Sequence, residues 1–148
     1  MPLWLIFHPD GTFEDDASKE ALCTDVTKIY TGVGLPAFYV VVNFIKMPGN
    51  TMWVGGKKLT KPFIRVAIEH IAVTLPNEDE VYKNTANKID ATLKPHVLDK
   101  GYDCEFHVDE TERRLWKIQG MFPPPFKSEG EKTWARENRP APLENSNL

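Results

Sequence analysis

Pro2 carries the most distinctive chemistry in this sequence. If Met1 is removed, as expected when the second residue is small, the chain begins with a secondary amine, which is a base when neutral and an acid or electrostatic anchor when protonated. The apolar residues Leu3, Trp4 and Leu5 predict a pocket that lowers the pKa of this amine toward neutrality, because burial disfavours the charged form. The alternative is a structural role, since proline is common at the first residue of a strand.

Two histidines and one arginine are candidate partners of Pro2. His70 and His107 lie toward the ends of predicted strands, where a side chain can reach a pocket at the sheet edge. Because histidine titrates near physiological pH, each is a candidate catalytic acid or a cationic anchor for a carboxylate. The alternative is a surface histidine or a hydrogen-bonded core histidine. Arg65, in mid-strand, is a candidate for gripping a substrate carboxylate, or for an ion pair between subunits with a residue such as Glu69.

A charged run at residues 109–114 directly follows the last predicted strand. It is either a solvated turn or a functional element. As a functional element, it supplies Glu112 as a catalytic carboxylate and Arg113 or Arg114 as a substrate-binding cation. Trp116 is a candidate apolar wall of the same site, with ordinary packing as the alternative.

Polar residues beside apolar segments add three further candidates. Asn43 stands at the end of a very apolar strand, which predicts a buried hydrogen-bonding role, either structural or in substrate binding. Tyr30 and Tyr39 are candidate hydrogen-bond donors to a substrate.

Other classes of function lack support in the sequence. It contains no G-x-S-x-G, P-loop or G-x-G-x-x-G motif and no metal-type spacing of His and Cys, so we expect no cofactor and no metal. The net charge of −3 gives no general attraction to nucleic acid, and no apolar run approaches the ~18 residues of a membrane span. Cys23 and Cys104 are interpreted as buried small hydrophobes. The start lacks the features of a secretory signal, and we expect a cytoplasmic protein.

The first half of the chain predicts a strand, a helix and a second strand. Residues 2–7 form a short apolar run, typical of a strand buried on both faces. Apolar residues follow helical spacing over residues 16–32, and the β-branched and aromatic run at 37–45 predicts a central strand. A short hairpin is predicted next, around Trp53 and the glycines at 55–56.

The second half repeats this plan. Residues 62–70 alternate between apolar and other side chains and predict a strand, and residues 102–108 predict the last strand. Between them, Asn77 and Glu80 have the spacing of a helix start. The predicted apolar face of this helix consists of Tyr82, Ala86, Ile89, Leu93 and Val97.

These elements predict an α/β domain at residues 1–126, with β-α-β units at 2–46 and 62–108. Right-handed crossovers give a four-stranded, mainly parallel sheet with two helices on one face. The other face still carries apolar residues, and self-association is the simplest way to cover it.

The remaining residues, 127–148, predict a C-terminal arm that follows a run of prolines. Residues 128–138 are expected to form one or two helical turns, with Trp134 as an anchor. The residues from 139 onward are polar and are expected to be loose.

The layout and several short segments resemble the tautomerase superfamily, most closely the branch that contains cis-3-chloroacrylic acid dehalogenase and its fungal relatives. These segments are Met1-Pro2 before an apolar strand, Val42-Asn43-Phe44 before a Gly-Gly hairpin, and Gly120-Met121-Phe122-Pro123. The resemblance covers residues 2–126. It implies the tautomerase fold, a homotrimer, a buried proline amine as the base, a small carboxylate substrate held by cations, and no cofactor or metal.

Position by position, the resemblance places the family's proline on Pro2, its first arginine on or next to His70, and its strand-borne tyrosine on His107. The family's helix-borne histidine, second arginine and water-activating glutamate fall near Ile29 or Tyr30, near Val73 and near Ile118, where this chain has none of these residue types.

The resulting prediction is a tautomerase or isomerase in which Pro2 moves a proton between oxygen and carbon of a small 2-oxo or enol carboxylate. One alternative is activity like that of cis-3-chloroacrylate dehalogenase or a hydratase, which requires an acid such as Glu112 near Pro2. The other is a trimeric binding protein that has kept the fold and pocket but lost the chemistry.

Overall fold

The computed structural model describes residues 1–142, which form an α/β fold with a mixed four-stranded sheet and three α-helices. In chain order the elements are β1 (Leu3–Pro9), α1 (Asp16–Thr31), β2 (Val41–Met47), β3 (Trp53–Val54), β4 (Lys57–Lys58), β5 (Phe63–His70), α2 (Asp79–Leu93), β6 (Asp103–Glu110) and α3 (Glu129–Glu137). The main sheet has the strand order β2-β1-β5-β6, and β3 and β4 form the predicted hairpin.

Both predicted β-α-β units are present. Strands β1 and β2 are parallel, and so are β5 and β6, whereas β1 and β5 pair antiparallel at the centre of the sheet. The sheet is therefore parallel within each unit and antiparallel where the units meet. The units also start alike, because Val41 N donates to the carbonyl of Pro2 and Asp103 N donates to that of Pro62.

One face of the sheet carries the core. Trp4 and Ile6 of β1 and Ile64 of β5 are fully buried, in one cluster with apolar residues of α1 and α2. The alternate residues of β1, among them Leu5, are only half-buried. The prediction that β1 is buried on both faces is therefore wrong for the single chain, because both crossover helices cover the same face.

Helix α1 follows its predicted pattern. Asp15 caps it by accepting a hydrogen bond from Ser18 N, and Leu22, Val26 and Tyr30 form its buried stripe. This stripe has helical spacing, so it brings the Tyr30 side chain toward the sheet at the last turn of the helix.

Three predicted elements differ in detail. Residues 37–39 form a 3₁₀ turn and β2 begins only at Val41, because Tyr39 is drawn into the core against Trp116 and Trp134. Helix α2 begins at Asp79, with Glu78 rather than Asn77 as its cap. The last strand, β6, spans Asp103–Glu110 rather than residues 102–108.

The predicted apolar face of α2 is only partly correct. Ile89 and Leu93 are buried, and Val97 is buried beyond the end of the helix, but Tyr82 and Ala86 are exposed because only the second half of α2 lies against the core. The cysteines also differ from expectation, since both are half-buried.

The predicted helical turns after residue 127 correspond to α3, whose cap is Ser128. Trp134 is 1% exposed and lies beside Phe38 and Tyr39, so its predicted role as an anchor is confirmed. Residues 143–148 of the tail that was expected to be loose lie outside the described residues. Over residues 1–142, no helix is long and apolar enough to cross a bilayer.

Candidate functional site

A cavity of about 240 Å³ opens beside Pro2. Its walls come from α1, α2 and the segment after β5, and they are mostly apolar. Pro2 itself is buried, and the polar side chains that line the cavity are Tyr30, His70, Thr85 and Lys88. Among the predicted site residues, Pro2, Tyr30 and His70 therefore meet at one cavity.

Three aromatic side chains form a hydrogen-bond chain that ends at this cavity. Trp4 Nε1 donates to Tyr30 Oη at 2.8 Å, and Tyr30 Oη lies 2.8 Å from His70 Nε2. The tryptophan is a donor only, so the arrangement that leaves no buried hydrogen unpaired has Tyr30 donating to His70 Nε2. The His70 proton is then on Nδ1.

Burial fixes the protonation of both Tyr30 and His70. It raises the pKa of the Tyr30 hydroxyl, which therefore stays protonated. It also lowers the pKa of His70 to about 4, with a smaller contribution from the charge of the N-terminal amine. At neutral pH His70 is thus an uncharged hydrogen-bond donor, and its predicted role as a cationic anchor does not fit this environment.

The N-terminal end of β1 is a sheltered place for a nitrogen base. In the structure, which includes Met1, the nitrogen of Pro2 belongs to a peptide bond and has no basicity. The free amine is that of Met1, and its pKa is lowered to about 4. Burial is the main cause, the positive charge of Arg113 adds to it, and the negative charge of Glu131 opposes it.

The partly buried Arg113 and the fully buried Glu131 form an ion pair near this amine. Arg113 donates hydrogen bonds to the carbonyls of Ala72 and Pro124, and its Nη2 lies 3.4 Å from Oε1 of Glu131. The buried Tyr39 hydroxyl has no hydrogen-bond partner among residues 1–142. Burial and the Glu131 charge raise the pKa of Tyr39, so its hydroxyl remains available as a donor.

Trp116 packs beside both Arg113 and Tyr39. Its ring packs edge-on against Tyr39 at 4.8 Å between centroids, and the Arg113 guanidinium lies 5.5 Å from its ring centre. The predicted apolar wall therefore stands next to Arg113, and it packs as an ordinary core residue at the same time.

Arg65 and His107 lie away from the cavity of their own chain. Arg65 Nη2 donates to His107 Nδ1 at 2.6 Å and Nη1 pairs with Glu105 at 3.1 Å, while His107 Nε2 lies 3.0 Å from Asp109. Within the chain, Arg65 pairs with Glu105, and the suggested ion pair between subunits with a residue such as Glu69 stays a prediction. Side chains alternate along β5 and β6, which turns these residues to the face opposite the core.

Three other predicted site residues are also outside the cavity. Glu112 and Arg114 form an exposed pair at 3.0 Å, and hydrogen bonds from Arg114 lower the pKa of Glu112 to about 2. Asn43 is exposed on β2, in register with Leu5, so its predicted buried role is wrong for the single chain. Its side chain alternates away from the core, which the sequence pattern of Val42 and Phe44 could have indicated.

Sequence reasoning missed two of the charged residues near Pro2. Lys88 directly precedes the core residue Ile89 and lines the cavity, but an exposed lysine on α2 carries no distinctive signal. Glu131 follows Ser128 at capping-box spacing, and Ser128 does accept a hydrogen bond from its backbone NH. That spacing indicates a helix start and does not reveal that the Glu131 carboxylate is buried against Arg113.

Comparison with known proteins gives the family. Residues 1–139 match the family Tautomerase_3, described as "Putative oxalocrotonate tautomerase enzyme". Native RhCC from Rhodococcus jostii RHA1 is 44% identical with a TM-score of 0.90, over 95% of this chain and 99% of that one. A protein from the thermophilic fungus Aspergillus fumigatus is 43% identical with a TM-score of 0.87, over 97% and 98%.

More distant structures share the fold alone. A macrophage migration inhibitory factor of Toxoplasma gondii is 21% identical with a TM-score of 0.55, over 80% of this chain and 97% of that one. No match was found among curated proteins.

Proposed function

The chain belongs to the tautomerase family that matches its residues 1–139, and from this premise we propose that it is a tautomerase whose base is Pro2. The observation that carries the proposal is the burial of Pro2 at the edge of an apolar cavity. The Met1 amine, one residue away, has its pKa lowered by burial. A free proline nitrogen one residue further along the chain shares this shelter, which favours a neutral base near pH 7.

The proposed substrate is a small 2-oxo or enol carboxylate, and the proposed step is a proton transfer. Once Met1 is removed, the Pro2 nitrogen takes the proton from the enol hydroxyl. The O–H electron pair becomes the new C=O bond, and the C=C pair takes up a proton at carbon from the protonated proline. The Nδ1–H of neutral His70 donates a hydrogen bond to the oxygen while it carries negative charge.

Arg113 and Tyr39 are the groups we assign to the substrate carboxylate. Met1 packs against the apolar cluster that includes Tyr39 and Trp116, and the charge of Arg113 lowers the pKa of its amine. Loss of Met1 frees that space in front of Pro2. A carboxylate entering it gains a charge-assisted hydrogen bond from Arg113 and a partner for the buried Tyr39 hydroxyl. The reaction requires neither a metal nor a cofactor.

The finer assignments belong to the same proposal. The half-buried apolar side chains on the open face of β1, such as Leu5, support association into a homotrimer. A cytoplasmic location and a place in the branch of cis-3-chloroacrylic acid dehalogenase are part of the proposal and rest on the sequence. The division into a domain at 1–126 and an arm at 127–148 is also part of the proposal and rests on the sequence.

Proton transfer is preferred to hydration or dehalogenation. Those reactions require a carboxylate to activate water near Pro2, and the predicted acid, Glu112, is instead exposed and bound to Arg114. A binding protein without chemistry is the remaining alternative, and it makes the opposite prediction for Pro2.

The test is Pro2→Ala, assayed for ketonisation of phenylenolpyruvate and 2-hydroxymuconate by ultraviolet absorbance. Mass spectrometry must first show that the wild-type chain begins at Pro2. We expect the variant to keep its fold and to lose about 10²- to 10⁴-fold in rate. Pro62→Ala, at the equivalent position of the second unit, is the matched control and should retain activity. Equal rates for Pro2→Ala and wild type would eliminate the mechanism.

A further inference from the structure

Glu131 on α3 is a buried carboxylate that the proposed proton transfer does not use. It is 1% exposed. Its Oε2 accepts a hydrogen bond from Lys127 N at 2.7 Å, and its Oε1 lies 3.4 Å from Arg113 Nη2. A buried charge is costly unless it is paired and hydrogen-bonded, so this arrangement requires Arg113.

The contacts of Arg113 bring three parts of the chain together. Its guanidinium binds the carbonyl of Ala72 after β5, the carbonyl of Pro124 in the proline-rich segment, and the carboxylate of Glu131 on α3. Ala72 also lines the cavity beside Pro2. The direction of the Arg113 side chain is therefore fixed jointly by the cavity wall and by the C-terminal helix.

The same helix holds Tyr39 in place. Trp134 lies 6.4 Å from the Tyr39 ring, between centroids, and the Tyr39 hydroxyl is left without a partner among residues 1–142. Arginine is a donor only, so Arg113 cannot accept the hydroxyl hydrogen of Tyr39, which is free to be donated to a substrate. Helix α3 thus supports both groups that we assign to the substrate carboxylate.

We propose that Glu131 is a positioning residue of the active site, which fixes the Arg113 guanidinium in front of Pro2 and balances its positive charge beside the proline nitrogen. This inference rests on the proposed function, because it assigns a role around Pro2 as the base.

The balance of charge at the N-terminus supports this role. The charged groups that act on the Met1 amine are Arg113 after β6, which lowers its pKa, and Glu131 on α3, which raises it. His70 of β5 is neutral, and Tyr30 of α1 and Tyr39 are protonated. Removing the Glu131 charge therefore leaves the Arg113 cation unopposed, which disfavours a protonated amine.

The experiment compares Glu131→Gln with Glu129→Gln in the full-length protein. Glutamine keeps the shape of Glu131 and an acceptor for Lys127 N but removes the charge. Glu129 lies on the same helix with an 88% exposed side chain, so it is a matched control. The readouts are the pKa of the Pro2 amine, from NMR titration of ¹⁵N-labelled proline, and kcat and KM for phenylenolpyruvate from pH 5 to 9.

We expect Glu131→Gln to lower the pKa of Pro2, so that the acidic limb of the pH–rate profile moves to lower pH. We also expect KM to rise and kcat/KM at pH 7 to fall by roughly 10- to 100-fold, because Arg113 is no longer held in place. Glu129→Gln should match wild type in every readout. An unchanged pKa and an unchanged kcat/KM in Glu131→Gln would overturn the inference.

The failures of the two proposals are distinguishable. If wild type has no Pro2-dependent activity, the proposed function fails, while the NMR titration still decides whether Glu131 acts on the Pro2 amine. If Glu131→Gln does not fold, Glu131→Asp takes its place. It keeps the charge but not the reach, so the Pro2 pKa should stay near that of wild type while kcat/KM falls; an unchanged kcat/KM would count against the inference.

Discussion

The hydroxyl of Tyr30 on α1 lies 2.8 Å from Nε2 of His70 at the end of β5. Because the same hydroxyl accepts a hydrogen bond from Trp4, its hydrogen is directed to His70. The last turn of α1 thereby sets the tautomer of a histidine that lines the cavity beside Pro2.

Replacing Tyr30 by Phe should affect both stability and activity. The buried Trp4 Nε1–H loses its acceptor, which should cost about 1–3 kcal/mol of unfolding free energy. His70 loses its fixed tautomer, so kcat should fall as well. Urea denaturation and the ketonisation assay measure the two effects. Tyr82→Phe is the control, since Tyr82 is exposed, and equal stability of Tyr30→Phe and wild type would contradict the hydrogen-bond chain.

The burial of His70 predicts a dependence of stability on pH. Its pKa is about 4 in the folded chain and about 6.5 when unfolded, so the unfolded state binds more protons between these values. This contribution to stability is fully present above pH 6.5 and is lost as the pH falls toward 4. It amounts to about 3 kcal/mol.

Comparison of wild type with His70→Asn isolates this contribution. The difference in unfolding free energy between the two proteins should change between pH 7 and pH 4.5, with wild type losing more on acidification. Parallel stability curves for the two proteins would show that His70 is not held neutral.

Replacing Arg113 by Met should weaken recognition of the substrate's carboxylate. Loss of a charged hydrogen bond should reduce kcat/KM for the acid by about 10- to 100-fold, with a smaller effect on its methyl ester. Arg114→Met is the control, because Arg114 is exposed and pairs with Glu112. Equal losses for acid and ester in Arg113→Met would mean that Arg113 acts only through the fold.

The open face of β1 should mediate self-association. Placing a charge on this face, as in Leu5→Glu, should convert the expected trimer to smaller species in light scattering after size-exclusion chromatography. Val54→Glu, in the exposed hairpin, should leave the assembly unchanged. A wild-type protein that is already monomeric at micromolar concentration would contradict this expectation.

The main elements could be predicted because local patterns determine them. The stripe of Leu22, Val26 and Tyr30 indicated α1, and alternation indicated β5. The strand at residues 37–45 was predicted to begin too early, because a local pattern cannot show that Tyr39 turns into the core. The exposure of Tyr82 on α2 could not be predicted for the same reason. How much of a helix packs against the core depends on the elements that surround it in the fold, not on its own sequence pattern.

The candidate site was less predictable than the fold. Pro2, Tyr30 and His70 were predicted individually, and the cavity joins them. The alternation of β5 already placed Arg65 on the face opposite the core residues. That pattern could have indicated that Arg65 does not reach the cavity beside Pro2. Glu131 could not have been found, because its burial depends on Arg113, which comes 18 residues earlier and from another element.

The two halves of the chain begin alike, with Pro2 and Pro62 each accepting a hydrogen bond from the strand that runs alongside. Because the central strands β1 and β5 are antiparallel, the two prolines lie at opposite ends of this strand pair. If Met1 is removed, Pro2 becomes a free secondary amine, whereas the nitrogen of Pro62 remains part of a peptide bond. Under the proposed function, only one of the two similar units can therefore supply a catalytic amine, and a fusion that extends the chain ahead of Pro2 should abolish activity.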